Sequence, residues 1–350
     1  MKFLEKEKRF GMVLTLLLLA CSCLVITGAR ADDSGEDEDA FKPGFSGYVS
    51  PIVGIEQSKS LSEVSDDDKR INSLDQDAGS ETEISPMLLW KMGYTLENGI
   101  TRFYAGTPEE NIVEGNFLLE AGIRQKIGGT VLTAAWIPNV PLLDSEVWSD
   151  PFLLNRDRAE TDQDAQAFKL EADSVFGSPV TLRYGYGTLD VDNEQSGAYH
   201  ASIGAITSDD LSKLNRDSDF HLIQAMYTFS LGQGINIRPQ FGYMIGDADG
   251  GANSFNRYRG EITVFYPLDK WVFFGNIHGA VYDYDETNPI FGRARKDDEY
   301  GFSMGVSYDA PFGWENISLD FLTGYEKRDS NIKFYDSRSA MCAVGMSWSF

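Results

Sequence analysis

The chain has 350 residues and a formal charge of −24, from 54 acidic against 30 basic side chains. That balance excludes the basic footprint on which nucleic-acid binding depends. A hydrophobic content of 42%, with 34 Gly, 22 Phe, 16 Tyr and 6 Trp, excludes a bundle of apolar helices and suits strands and turns.

The N-terminus reads as an address. Lys2, Lys6, Lys8 and Arg9 precede an almost wholly apolar run from Phe10 to Ile26, and Ala29-Arg30-Ala31 offers a small-residue cleavage site. Residues 1–31 are therefore expected to be a secretory signal peptide. Retention as a single anchor is disfavoured by the cleavage site, and lipoprotein processing at Cys21 by the apolar residues that follow it. Residues 32–43 begin Asp32-Asp33-Ser34-Gly35-Glu36-Asp37 and are expected to be an acidic, disordered tail. Cys342 is then the one cysteine of the exported chain, which leaves no intramolecular disulfide.

From residue 44 onward the sequence alternates. Over 82–96 the even positions carry Ile84, Pro86, Leu88, Trp90, Met92 and Tyr94, and the odd ones Glu83, Ser85, Lys91 and Thr95. Over 113–126 Val113, Phe117, Leu119, Ala121 and Ile123 oppose Glu114, Asn116, Glu120, Arg124 and Lys126. The same period of two recurs over 235–245 and 256–266, and it marks strands with one apolar face. These segments are longer than the roughly 5–6 residues of an average soluble strand and match the roughly 9–11 that a tilted membrane strand needs.

The connections alternate as well. Asn98-Gly99, Gly128-Gly129, Gly177-Ser178-Pro179, Gly232-Gln233-Gly234, Asp269-Lys270 and Pro311-Phe312-Gly313 mark tight turns. Longer acidic connections lie near 57–81, 107–112, 139–164, 191–217, 247–255, 286–296 and 329–337. Short turns on one side and long loops on the other are the habit of outer-membrane barrels, in which lipid forbids an open sheet edge. The expectation is an all-β, transmembrane, antiparallel up-and-down β-barrel over residues 44–350. Its strands run near 44–56, 82–96, 100–106, 113–126, 129–138, 165–176, 179–190, 218–230, 234–246, 256–268, 270–285, 297–309, 315–328 and 338–350. The segment 100–106 is short, and losing its hairpin leaves twelve strands as the alternative. The final segment alternates Ala340, Cys342, Val344, Met346, Trp348 and Phe350 with serines. Trp348 and Phe350 resemble the aromatic C-terminal signature by which the barrel-assembly machinery selects its clients.

The segments GFSGYVSPIVGIEQSKS from Gly44, ANSFNRY from Ala252, NPIFGRARKDDEY from Asn288, GWENISL from Gly313 and NIKFYD from Asn331 resemble a domain-of-unknown-function family of exported barrel proteins in marine, Vibrio-type Gram-negative bacteria. The resemblance runs from about Gly44 to Phe350. It implies export and barrel architecture, and it carries no catalytic residues.

The second face of the strands supplies a lumen. Its expected members are Glu114, Glu120, Arg124, Lys126, Lys169, Glu171, Asp173, Arg183, Arg238, Arg257, Arg259, Glu261, His278, Glu299 and Asp320. Charges of both signs suit a water-filled path without a marked ion preference, or else a set of salt bridges that plugs it. Apolar residues in the two largest loops, such as Trp148, Phe152, Ile206 and Leu211, need burial, and either loop is a candidate to fold inward.

Enzyme motifs are thin: Gly-x-Ser-x-Gly occurs only as Gly301-Phe302-Ser303-Met304-Gly305, inside the expected strand 297–309 and not at a strand-to-helix elbow, and there is no His-Glu-x-x-His. His221 with Asp217 and Asp219 suggests an Asp–His pair at the outer rim, and Asp247-Ala248-Asp249-Gly250-Gly251 a calcium loop, but the latter lacks the ligand spacing. No cofactor and no metal site is expected. The expected function is passive diffusion of small hydrophilic solutes through a monomer in the outer membrane, in contact with its lipid and lipopolysaccharide. A closed barrel acting as adhesin or structural protein, a transporter of apolar molecules and a rim-active hydrolase stay open.

Overall fold

The structure is a computed structural model that describes residues 41–107, 119–139 and 145–350. The expected signal peptide, most of the expected tail and Glu114 lie outside the described residues.

Sixteen strands form one antiparallel sheet: β1 (Gly44–Ser60), β2 (Glu81–Thr95), β3 (Thr101–Gly106), β4 (Glu120–Ile127), β5 (Thr130–Ile137), β6 (Ser145–Trp148), β7 (Glu160–Asp173), β8 (Val180–Val191), β9 (Ser218–Tyr227), β10 (Phe229–Leu231), β11 (Ile235–Ala248), β12 (Phe255–Leu268), β13 (Trp271–Asn288), β14 (Arg293–Asp309), β15 (Ile317–Ser330) and β16 (Ser337–Ser349). Two are extensions. β6 carries on the β5 line along β7, and β10 carries on the β9 line along β11. The remaining fourteen coincide with the fourteen expected from the sequence, including the short β3. β16 pairs with β1, from Ser337↔Ser60 to Ser349↔Tyr48, and this pairing closes the sheet into a barrel. Closure removes the free outer edges that an open sheet would show to lipid, and among the described residues β2 meets β3 over Lys91–Thr95.

At one end the hairpins are tight. Ile127 pairs with Thr130 across Gly128-Gly129, where Gly128 has φ 62°. Such a turn needs positive φ, which glycine adopts without a Cβ clash. The first and last strands meet here, where the backbones of Gly47 and Phe350 exchange two hydrogen bonds of 3.0 Å. Phe41, placed in the tail by the sequence, is instead buried at this end beneath Arg124 and Lys126.

The other end carries the long connections. One expected loop, 286–296, is mostly strand: β13 runs to Asn288 and β14 starts at Arg293, with a register shift between Asp283 and Thr287. Here both faces are charged, so pairing continues without the apolar alternation that marks the wall below.

Alternation sorts the side chains. Val53, Ile84, Leu88, Phe168, Leu170, Ile223, Phe241, Ile277, Met304 and Val344 point outward and are exposed around the whole wall. An apolar surface of this extent is foreign to a soluble monomer. Aromatic pairs flank it at the turn end, among them Phe45–Tyr94, Tyr227–Phe229, Trp271–Tyr308 and Trp348–Phe350. Tyr184, Tyr243, Tyr258 and Tyr300 stand toward the loop end. Tyr282 and Tyr284 do not join them, because their parity turns them inward against Phe255.

Candidate functional site

Six connections at the loop end share one apolar core. Leu61, Ile71 and Leu74 come from the connection after β1, and Phe152 and Leu154 from the one after β6. Ile206 and Leu214 follow β8, Ala252 follows β11, Ile290 and Phe291 sit between β13 and β14, and Ile332, Phe334 and Tyr335 follow β15. These connections leave the barrel from around its rim, so a common core places them over its mouth as a lid. Phe334 is fully buried, with its ring 5.3 Å from Phe152 and 5.8 Å from Phe291.

Loops normally leave their backbone polar groups to water. Here a buried cation takes several of them. Arg158 donates from Nη1 to the carbonyls of Leu61 (2.7 Å) and Pro151 (3.1 Å) and from Nη2 to that of Asp68 (2.6 Å). Its guanidinium stacks 4.2 Å from the Trp148 ring. Burial lowers the Arg158 pKa to about 10, which keeps it charged at neutral pH. Asp150 accepts from the backbone N–H groups of Phe152, Gly197 and Tyr199. Glu63 stands on the first lid segment, within electrostatic reach of Glu326 and Arg328. Burial raises its pKa to about 7, with Glu326 adding to the shift and Arg328 opposing it.

Below the lid, two groups of paired charges line the inward face. On the β4–β8 side, Lys169 Nζ lies 2.7 Å from Glu120 Oε1, and Tyr104 donates to the same carboxylate. Arg183 donates to Glu171 from two nitrogens and to Gln224 Oε1 at 3.2 Å. Asp173 accepts from Thr181. Arg238 faces inward, half-buried, in β11.

On the β12–β15 side, Glu299 is the hub. It accepts from Arg259 (3.2 Å), Arg328 (2.7 Å) and the Tyr282 hydroxyl (2.9 Å), and Arg257 stands 3.9 Å away. Glu261 accepts from Arg259 (3.3 Å) and from Asn276 (2.7 Å). His278 Nδ1 meets Asn276 Oδ1 at 3.2 Å, and its Nε2 lies 3.5 Å from Glu326. Among the described residues, His278, Glu299 and Glu326 form the group whose ligand atoms all lie within 4.8 Å of one another. Toward the turn end Asp320 accepts from Ser307, Ser318 and Ser347. Between these levels an apolar cluster of Tyr48, Ile52, Leu89, Phe274 and Leu322 narrows the interior.

Sequence reading missed Glu326, Arg328, Tyr282, Tyr104, Gln224 and Glu63. Glu326 and Arg328 alternate with Lys327 and Asp329, so both faces of that stretch are charged and parity alone gives no inward signal. The suspected Asp–His pair does not form. His221 lies on the outer wall, where its Nδ1 meets the Tyr184 hydroxyl at 2.8 Å, while Asp219 accepts from Tyr186 at 3.0 Å.

Solved structures to which the chain is similar include a loop-deletion form of OmpT, an outer membrane protein of Vibrio cholerae. It is 9% identical, covers 87% of this chain and 99% of its own, and has a TM-score of 0.40. OpdL of Pseudomonas aeruginosa is 12% identical over 88% and 99%, with a TM-score of 0.37. An anion-selective porin from Comamonas acidovorans is 11% identical over 88% and 100%, with a TM-score of 0.39. No curated protein matches the sequence. A family model does match, over residues 44–349, and the chain belongs to the family described as protein of unknown function (DUF2860).

Proposed function

We propose that this protein is an outer-membrane barrel whose lumen is a lidded conduit for small polar solutes. Its apolar outer wall and flanking aromatics suit a bilayer, and the tight turns, with the start of β1 and the end of β16, would face the periplasm. The observation that carries the conduit is the pairing of charges beneath a lid with its own core. A barrel that only needed filling would be as stable, or more so, with apolar residues in place of buried ion pairs. Lys169–Glu120, Arg183–Glu171 and the Glu299 hub instead keep a polar lining on a lumen that opens when the lid lifts. This differs from an open general-diffusion pore in that passage depends on the lid.

The closed mouth also supports a second reading, a surface-structural or adhesive barrel whose lid is its working face. Liposome swelling separates the two. Vesicles carrying the protein are expected to swell slowly in small sugars and faster when Phe334→Asp opens the lid core. Failure of both proteins to admit any solute, with insertion verified independently, favours the structural barrel.

A further inference from the structure

We propose that His278 and Glu326 form a binding site for a divalent transition-metal ion inside the lumen, with Glu299 at its edge. The proposal starts from the hydrogen-bond chain behind the imidazole. Asn276 Nδ2 donates to Glu261 Oε1 at 2.7 Å and to Thr263 Oγ1 at 3.0 Å. Those two bonds fix the amide orientation, so Oδ1 is the atom that meets His278 Nδ1 at 3.2 Å. A carbonyl oxygen only accepts, and Nδ1 therefore carries the proton. Nε2 of the neutral ring is left with a bare lone pair. That nitrogen has no hydrogen-bond partner, and the side chain is 8% exposed.

The ring reaches its position over Gly301. A Cβ built on Gly301 would stand 2.7 Å from His278 Nε2, so any side chain there displaces the imidazole. Register sets Gly301 between His278 and Glu326, one strand from each. The glycine thus lets a β13 histidine meet a β15 carboxylate across β14. The meeting brings a nitrogen lone pair 3.5 Å from a carboxylate oxygen. Two donors bound to one tetrahedral ion at roughly 2.0–2.1 Å stand about 3.3–3.4 Å apart, so the separation suits a shared metal. A ligating histidine whose other N–H is held by an acceptor is also the usual arrangement around such ions.

The surrounding charges are balanced, so a bound cation meets no net positive field. Arg257, Arg259 and Arg328 face Glu299, and Glu261 and Glu326 complete the balance. Glu56 and Glu63 lie close enough to Glu326 to feel its charge, and they add to it as they ionise. Nitrogen with carboxylate oxygen is a donor set for zinc or a similar borderline ion rather than for calcium or magnesium. Glu299 already serves several donors, so it supplies at most one further lone pair, and His278 and Glu326 are the principal ligands.

The test is zinc titration of the folded full chain in detergent, without a histidine tag, followed by calorimetry and by metal content after desalting. The proposal expects one tightly held ion per chain. His278→Gln and Glu326→Gln should each weaken it by at least about 10-fold, and His221→Gln on the outer wall should leave it unchanged. Cobalt should give the absorption of a low-symmetry N/O site in the wild type and lose it in His278→Gln. Folding of each variant is checked by its heat-dependent shift in gel mobility. Equal zinc binding in wild type and His278→Gln overturns the proposal. So does a His278 ring that titrates as a simple ion pair with Glu326 and is indifferent to zinc.

Discussion

The indole of Trp148 donates to the carbonyl oxygen of Glu63 at 2.7 Å. Residues 85 apart in sequence are thereby joined, and the connection after β1 is pinned to the strand extension beside β7. Arg158, stacked on the same indole, holds three more carbonyls of the two segments. Replacing Arg158 with alanine leaves those acceptors unpaired and should destabilise the lid by about 3 kcal/mol. Lys69 and Arg70 are exposed on the first lid segment. Their cleavage by trypsin, limited by lid opening, should then rise by about 100-fold. An unchanged rate means that Arg158 does not hold the lid.

The lid should respond to pH through Glu63. Its carboxyl keeps its proton to about pH 7 in the closed lid, against an ordinary value of 4.5 when released. The closed state binds more protons between those values, so closure is fully favoured below about pH 4.5 and loses that contribution as pH rises toward 7. Open-state occupancy in a planar bilayer should increase between pH 5 and pH 7.5. Glu63→Gln, which stays neutral throughout, should flatten that rise; identical profiles would remove Glu63 from the mechanism.

Much of the barrel was legible in the sequence because lipid imposes a strict rule. Every wall strand must put apolar residues on one face, so parity assigned Ile84, Leu88 and Tyr94 to one side and Glu83 and Ser85 to the other. The rule lapses above the membrane. There Thr287, Asn288, Arg293 and Lys296 continue a hairpin that reads as a loop. The lid was illegible for a different reason. Ile71, Leu214 and Phe334 have no shared period, and only the return of separate loops to one mouth makes them neighbours. The same holds for the inward network. His278 was visible as an inward residue, but its approach to Glu326 depends on Gly301 in the strand between them. No spacing along the chain encodes that relation.

The Glu299 hub should be a large contributor to barrel stability. Its carboxylate is buried among Arg257, Arg259 and Arg328. Glu299→Gln keeps the shape and removes the anion that three guanidiniums share, with Arg259 keeping Glu261, which should reduce stability by about 3–5 kcal/mol. The urea midpoint of unfolding from vesicles, read by gel mobility, measures it. A shift within error would mean that the guanidiniums are neutralised elsewhere.

The seam should be intolerant at Gly47. A Cβ there would lie 2.2 Å from the Lys91 carbonyl oxygen and 3.1 Å from the Phe350 ring. Backbone cannot yield as a flexible side chain can, so Gly47→Val should impair closure of β1 on β16 and lower the folded yield severalfold. Refolding into detergent micelles checks this, and a wild-type yield would show that the seam can shift.

The most direct measurement is single-channel current across a planar bilayer, comparing the wild type with Phe334→Asp, whose side chain breaks the lid core outside the membrane. A lidded conduit gives rare, brief openings in the wild type and frequent, longer ones of similar conductance in the variant. Silence from both proteins, shown independently to be folded and inserted, would contradict a conducting lumen, and steady large openings in the wild type would contradict the lid.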